Sequence, residues 1–474
     1  MSSKVLTGLL AVGWRRNAAA AVIIAIFLFG GGARADISSL ILLRPLMAVT
    51  LVILMFVLGR RVFDEAPGPF ILLLLAVLLV LAHLVPLPPA VWTALPGRSV
   101  VTETMDAVGV VPGWMPFTLS PVDGWNQLFA LMIPAGAMYV AVGMGRESSP
   151  FLLKLLLMVI LASALLGLLQ AIGPAQGPLY LYRITNNGLA VGLFSNRNHQ
   201  AMLLACAFPL LALWASTARG SAEALRAKYI VALCAALALV PLLLVTGSRS
   251  GLGLAVLGIV AGLLLFRRST ANFSDRRKGS GGLVVLVLAA GAICLAALAA
   301  AFSGRGTAWQ RLTEGDAVED LRFQALPYIS EAIWAHFPFG SGAGSFVPVY
   351  KLIEPERLIS ADYFNHAHND VAEILLEFGL PGLLLMLLGV LGWAWSVQRL
   401  WRLHQASDSA MRTDHMFGWS GAAILFILGL GSLVDYPLRT PSLAALVTIA
   451  AVWMAWAAKA DRPAGLCSSG GIGS

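Results

Sequence analysis

Charge is scarce in this sequence. Only 12% of its 474 residues are Asp, Glu, Lys or Arg, while 58% are hydrophobic and the mean hydropathy is +0.82. Soluble domains carry about a quarter charged residues, so a water-soluble fold is excluded in favour of a polytopic membrane protein. Cysteine is also sparse. Cys206, Cys234 and Cys294 lie in apolar runs and Cys467 in the C-terminal tail. None falls in a long loop, which excludes a disulfide framework and a Cys-based metal site. Acidic residues are nearly missing from the apolar runs, and no D-x-D occurs. Glu314, Asp316, Glu319 and Asp320 do not form a compact ligand motif, and Glu354-Pro355-Glu356 reads as a solvated turn. No metal and no other cofactor is expected. The net charge of +8 invites a nucleic-acid reading. The basic residues instead sit mostly in short loops between apolar runs, where they signal orientation, so no nucleic-acid partner is expected.

What the chain has in abundance is apolar runs of bilayer length. About twelve occur, at 17–34, 38–58, 68–86, 125–144, 151–172, 198–216, 229–247, 250–266, 281–302, 377–398, 416–434 and 442–458. The expected fold is an all-α transmembrane bundle. Residues 1–302 would form an N-terminal bundle of about nine spans and 303–376 a large external loop. Residues 377–474 would hold the last spans and a short tail. Alternate loops carry Arg15 and Arg16, Arg60 and Arg61, Arg226 and Lys228, Arg276 and Arg277, and Arg399 and Arg402. Under this count these basic loops share one side, which the positive-inside rule makes cytoplasmic together with both termini. A competing reading of the N-terminus is a signal peptide, with Arg15-Arg16, an apolar run and Ala33-Arg34-Ala35 as an A-x-A site. Cleavage there leaves every later loop on its own side.

Three external segments stand out: the Pro/Gly-rich 87–124, residues 173–197, and the large loop 303–376. Within the last, Leu321, Ala325, Tyr328, Ile329, Ala332 and Ile333 fall at helical spacing. This predicts an amphipathic helix over 318–337, lying on the membrane or capping the bundle. Pro338 ends it, and Gly340-Ser341-Gly342-Ala343-Gly344 makes a turn.

The candidate chemistry gathers at external span ends. His368-Asn369 stand where the large loop re-enters an apolar helix, and Gly379 and Gly382 follow about three turns below. His368 has the intrinsic pKa to take a proton from a sugar hydroxyl near neutral pH. Its plain structural reading is an interfacial histidine bonded to a backbone carbonyl. Asn369 would orient it or bind sugar, and Asp370 and Glu373 read as helix-cap residues. His366 is the nearby rival. His199 adjoins Arg197, where it would reach the same pocket or cap a span. Arg197, Arg249, Arg322 and Arg439 mark four external positions. Guanidinium forks onto phosphate oxygens, so their convergence would suit a lipid-linked diphosphate. The plain alternative is that each snorkels to water or headgroups. Arg249 departs furthest from it, because it sits in a tight turn between Gly247 and Gly251. Arg44-Pro45 is the exception to the polar-free spans and would kink the second one.

His368-Asn369, nine residues, then Gly379-Leu380-Pro381-Gly382 is similar to the H-N-x9-G-x-x-G signature of the O-antigen ligase and polymerase superfamily. Gly192-Leu193-Phe194-Ser195-Asn196-Arg197-Asn198 resembles its G-x-F-x-N-x-N segment, and Thr246-Gly247-Ser248-Arg249-Ser250-Gly251 its S-R-x-x segment. Arg322 with Pro338-Phe339-Gly340-Ser341-Gly342 and Phe346 resembles its loop pattern. Pro86-Leu87-Pro88 and Val434-Asp435-Tyr436-Pro437-Leu438-Arg439 resemble alphaproteobacterial members. The resemblance implies a bundle of about twelve spans in the bacterial inner membrane, with its active site facing the periplasm. It implies metal-independent, inverting transfer of a glycan from undecaprenyl diphosphate to an acceptor hydroxyl. His368 would be the base or orient the acceptor, and Arg197 and Arg249 would hold the diphosphate. Arg322, Asn369, Asn198, His199 and Arg439 would line the substrate.

Several functions share these motifs. A ligase passes a finished glycan to lipid A-core, a polymerase passes the growing chain to the next lipid-linked repeat of O-antigen or exopolysaccharide, and a third variant glycosylates protein. The form of the histidine motif leans to ligase. From another class, a polysaccharide or lipid transporter or flippase fits twelve spans but should carry polar residues or broken helices at the midplane. A non-catalytic scaffold would leave His368 dispensable.

Overall fold

The computed structural model describes residues 3–217, 221–270, 317–359, 364–405 and 413–459. Hydrocarbon offers no water to backbone N–H and C=O groups, and a helix satisfies them within its own segment. The chain is accordingly an all-α membrane protein. Among the described residues, nine helices are long and apolar enough to cross a membrane by length and composition. The main helices are α1 (Ser3–Phe29), α2 (Leu40–Leu58), α3 (Pro67–Leu84), α4 (Pro121–Ala130), α5 (Met132–Met144), α6 (Ser149–Ile172) and α7 (Arg197–Ser216). They continue as α8 (Ala222–Thr246), α9 (Arg249–Thr270), α10 (Ala317–His336), α11 (Phe346–Ile353), α12 (Asp370–Gln405), α13 (Thr413–Gly431) and α14 (Pro441–Lys459). Short strands β1 (Pro86–Leu87) and β2 (Met115–Pro116) pair antiparallel. The expected run 281–302, the start of the large loop and the tail from 460 lie outside the described residues, which do not reach the count of twelve spans.

Helix α7 is the hub. Its span is 83% buried, against 11% for α3 and 17% for α2, which turn most of their surface outward. Close approach in lipid needs small residues, because apolar burial alone gives helices no preference for one another. Gly251 of α9 lies against Ala201, Gly258 against the backbone of Ala205, and Gly262 against that of Phe208. These contacts climb both helices in the same direction. Helices α7 and α9 are therefore parallel, and their N-termini, with Arg197 and Arg249, lie at the same end. Gly418 and Gly421 of α13 meet Ala457 and Ala450 of α14, an antiparallel pair. Gly431, at the last turn of α13, touches Met202 and Leu254, so the 432–440 turn also lies at the end where α7 and α9 begin.

That end is roofed by α10 and α11. Ala325, Ile329 and Ala332 of α10 are buried with Phe346, Val349 and Tyr350 of α11 and Leu376 of α12. The amphipathic helix thus caps the bundle, the second of its two expected placements. The glycine turn after it zips onto α12: Ser341 N donates to Leu376 O at 2.8 Å, Gly342 N to Glu377 O at 2.8 Å, and Leu380 N to Pro338 O at 2.7 Å. Gly379 breaks α12 with φ 54° and ψ −138°, a conformation L side chains rarely adopt. A side chain there would also run into the Pro338 carbonyl. The two glycine motifs are thus halves of one contact. Segment 87–124 docks on it as well, with Leu119 N donating to Ser341 O at 3.1 Å and Thr118 Oγ1 to Ala343 O at 2.7 Å.

Candidate active site

The site is built around a residue with no role in the sequence reading beyond its place in a quoted segment. Asp435, in the turn between α13 and α14, is fully buried. Its Oδ2 accepts from Asn198 Nδ2 at 2.7 Å, and its Oδ1 accepts from Tyr436 N at 3.0 Å. His368 Nδ1 lies 3.2 Å from Oδ1. Arg322 Nη1 stands 3.8 Å from Oδ2, and His199 Nε2 stands 3.9 Å from Oδ1. Asn198, His199, Arg322 and His368 come from three widely separated segments and meet on one carboxylate.

Local structure explains how each arrives. Asn196 is the N-cap of α7, its side chain accepting from Asn198 N at 2.8 Å. The cap sets Asn198 and His199 in the first turn, one and two residues after Arg197, whose N–H donates to Asn186 Oδ1 at 3.0 Å. Arg322 hangs from the roof helix α10. His368 has φ 51°, a left-handed conformation uncommon for a residue with a side chain. Strain of this kind persists where surrounding contacts over-determine it. Here Asn369 Oδ1 caps α12 by accepting from Ala372 N at 3.0 Å, and Asp370 N donates to Ser432 O at 2.8 Å. The cap of α12 is therefore Asn369, and the expected cap residues Asp370 and Glu373 are used elsewhere.

Electrostatics set the protonation states. Burial would raise the Asp435 carboxyl, but the Arg322 guanidinium and the His368 hydrogen bond hold it well below the usual carboxylate range. With Asp435 ionised, His368 Nδ1 carries the proton and donates, which leaves Nε2 as the basic nitrogen. Burial pushes the His368 imidazole below the 6.5 of a free side chain, and Arg322 adds to this against Asp435. The ring is therefore neutral near pH 7, as a base must be. Tyr436 separates this histidine from its rival, with ring centroids 4.8 Å from His368 and 4.5 Å from His366.

A second cluster lies on the far side of Tyr436. Arg439, one of the arginines singled out for phosphate, is held by carboxylates instead. Its guanidinium is 3.7 Å from Asp370, 3.2 Å from Glu373 and 3.4 Å from Glu377. Burial opposes its charge, but the three acids raise its pKa further. Its Nε and Nη2 face these carboxylates, so it serves as their counter-ion. Glu373 Oε1 also lies 2.8 Å from His366 Nδ1, and Glu373 Oε2 accepts from Ala367 N at 2.8 Å. His366 is thereby committed to Glu373. Arg197 and Arg249 stand at the neighbouring starts of α7 and α9, where helix dipoles add positive character.

Residues 233–387 match the family model described as O-antigen ligase. That stretch is similar to the O-antigen ligase family domain. The match supports the O-antigen ligase and polymerase superfamily, and with it membrane glycan transfer of ligase or polymerase type on lipid-linked glycans in general. It takes in Arg249, Arg322, His368, Asn369 and the paired glycines, while Arg197 and Asp435 lie outside it. No curated protein matches the chain.

Asp435, Tyr436 and the α12 acids were assigned no substrate or catalytic role from the sequence. One signal was available for Asp435. It ends the apolar run Gly431-Ser432-Leu433-Val434, and an ionisable residue beside hydrocarbon is costly unless partnered or employed. Its partners are remote, 67 residues away for His368 and 237 for Asn198, and spacing carries no trace of them.

Proposed function

We propose that this protein transfers a glycan from undecaprenyl diphosphate to an acceptor hydroxyl at the periplasmic face of the bacterial inner membrane, as an O-antigen ligase with lipid A-core as acceptor. The His368–Asp435 pair, with Asn198, His199 and Arg322 around it, carries this reading. The chain would cross the membrane about twelve times, with both termini inside.

In this reading the acceptor O–H gives its proton to His368 Nε2, and the oxygen attacks the anomeric carbon of the donor sugar. Asp435 holds the imidazole tautomer and stabilises the imidazolium that forms. The bond from the anomeric carbon to the diphosphate oxygen breaks, and Arg197 and Arg249 stabilise the departing charge as preorganised cations. Attack opposite the leaving group inverts the anomeric centre. No nucleophilic carboxylate is needed. Arg439 is not assigned the diphosphate in this scheme, because its Nε and Nη2 face the acids of α12.

The test is glycan transfer by purified wild type and His368→Ala, using a lipid-diphosphate-linked repeat with lipid A-core added or withheld. Product that forms only with core is the ligase result, and elongation without core is the polymerase result. The expected loss in His368→Ala is at least 100-fold in rate with donor binding retained. A variant as active as wild type would return His368 to a structural role.

A further inference from the structure

One cavity among the described residues does not open at His368. It holds about 550 Å³ between α2, α3, α4–α5 and α12, and lies on the His366 side of Tyr436. Neither Arg197, Arg249 nor His368 lines it. Its lining changes along the helices. Asp123 and Glu373 stand in the first turns of α4 and α12, and Asn365 and His366 in the loop before α12. Leu131, Leu385 and Met386 lie farther along and are apolar.

Arg44 also lines it, four residues into α2 and so about 6 Å below its start. Its Nη1 donates to Asn126 Oδ1 at 3.0 Å, while its buried Nε has no hydrogen-bond partner. The other basic residues of the cavity are already matched: Arg34 by Asp36 at 2.9 Å, and Arg439 by three acids. Among the described residues Arg44 is in no ion pair. A cation inside a span without a counter-ion points to a ligand that supplies one.

We infer that this cavity is a second lipid site, which seats a phosphorylated glycolipid as the acceptor, with its phosphate on Arg44. The lining offers each group of such a molecule a partner. Sugar hydroxyls donate to Asp123 and the Asn365 amide near the helix starts, the phosphate meets Arg44, and the hydrocarbon chain lies along Leu131, Leu385 and Met386. Donor and acceptor then approach from opposite sides of Tyr436, the donor by the starts of α7 and α9. Lipid A-core and a second lipid-diphosphate repeat share the required chemistry. The assignment of the occupant as acceptor rests on the transferase reading of His368, whereas the binding itself does not.

Binding to full-length protein in nanodiscs, followed by native mass spectrometry, tests it with three probes: lipid A-core, a lipid-diphosphate-linked repeat, and phosphatidylglycerol. Arg44→Gln should weaken lipid A-core binding about tenfold, as loss of a charge-assisted contact does, and raise the acceptor KM with kcat within about twofold. Arg44→Lys should restore most of it. Ala76→Trp, which fills the cavity without touching the charge, should do the same damage as Arg44→Gln. If the acceptor is instead a second repeat, wild type binds two equivalents of it and Arg44→Gln one. Acceptor binding unchanged in both Arg44→Gln and Ala76→Trp overturns the inference. So does phosphatidylglycerol binding with equal affinity and equal dependence on Arg44. A fully active His368→Ala beside Arg44-dependent glycolipid binding sinks the transferase reading alone and leaves the lipid site standing.

Discussion

Replacing Asp435 by Asn isolates what its charge does. The amide is isosteric, and the surroundings can adapt to it. Asn198 Oδ1 is buried without a partner, so a turn of that side chain lets it accept from the new amide N–H in place of the 2.7 Å bond lost. The oxygen of the introduced amide can still accept from His368 Nδ1, which preserves the tautomer. The loss is then electrostatic. A hydrogen bond to a charged group contributes about 1.5–3 kcal/mol and a neutral one about 1 kcal/mol. The difference, about 1.4 kcal/mol, is roughly tenfold in kcat, with donor KM unchanged. The same change alters the pH profile. Asp435 favours the imidazolium, so its neutralisation lowers the His368 pKa further and moves the acid limb of kcat to lower pH. Asp435→Ala, which leaves Asn198 and His368 without an acceptor, should cost well beyond tenfold. Glycan transfer measured between about pH 4.5 and 8 reads both quantities. An acid limb that stays in place or moves up in Asp435→Asn would refute the pairing of Asp435 with His368.

Two further outcomes follow from the same electrostatics. Arg322 disfavours the His368 imidazolium, so Arg322→Gln should raise the imidazole pKa and move the acid limb up, opposite to Asp435→Asn, in the same pH series. Arg439→Gln leaves Asp370, Glu373 and Glu377 buried without their shared cation. Breaking a buried pair in this way costs about 3–5 kcal/mol, so the variant should lose monodisperse folded protein in detergent. Wild-type stability together with lost activity would instead assign Arg439 to substrate.

Membrane class was legible in the sequence because hydrocarbon imposes a local rule. Each span must bond its own backbone and present apolar side chains over some twenty residues, and both properties are contiguous in the chain. The roof helix was legible for a similar reason, since the spacing of Ala325, Ile329 and Ala332 is itself local. The spacing of His368 to Gly379 and Gly382 marked the right region, but its physical reason is a contact. Gly379 must turn left-handed to let Pro338 and Gly340 lie against it. Which polar groups satisfy one another was beyond reach of the sequence. Arg197, Arg249, Arg322 and Arg439 look alike as external arginines, yet Arg439 is neutralised by the acids of α12 and Arg322 faces Asp435. His366 and His368, two residues apart, face Glu373 and Asp435 respectively. Such pairings depend on where α7, α10, α12 and the 432–440 turn meet in space. The sequence by itself determined that this is an all-α membrane protein and which residue types stand at the ends of its apolar runs. Tertiary structure alone decided which of those residues are bound to one another, because a buried charge takes its character from the nearest opposite charge.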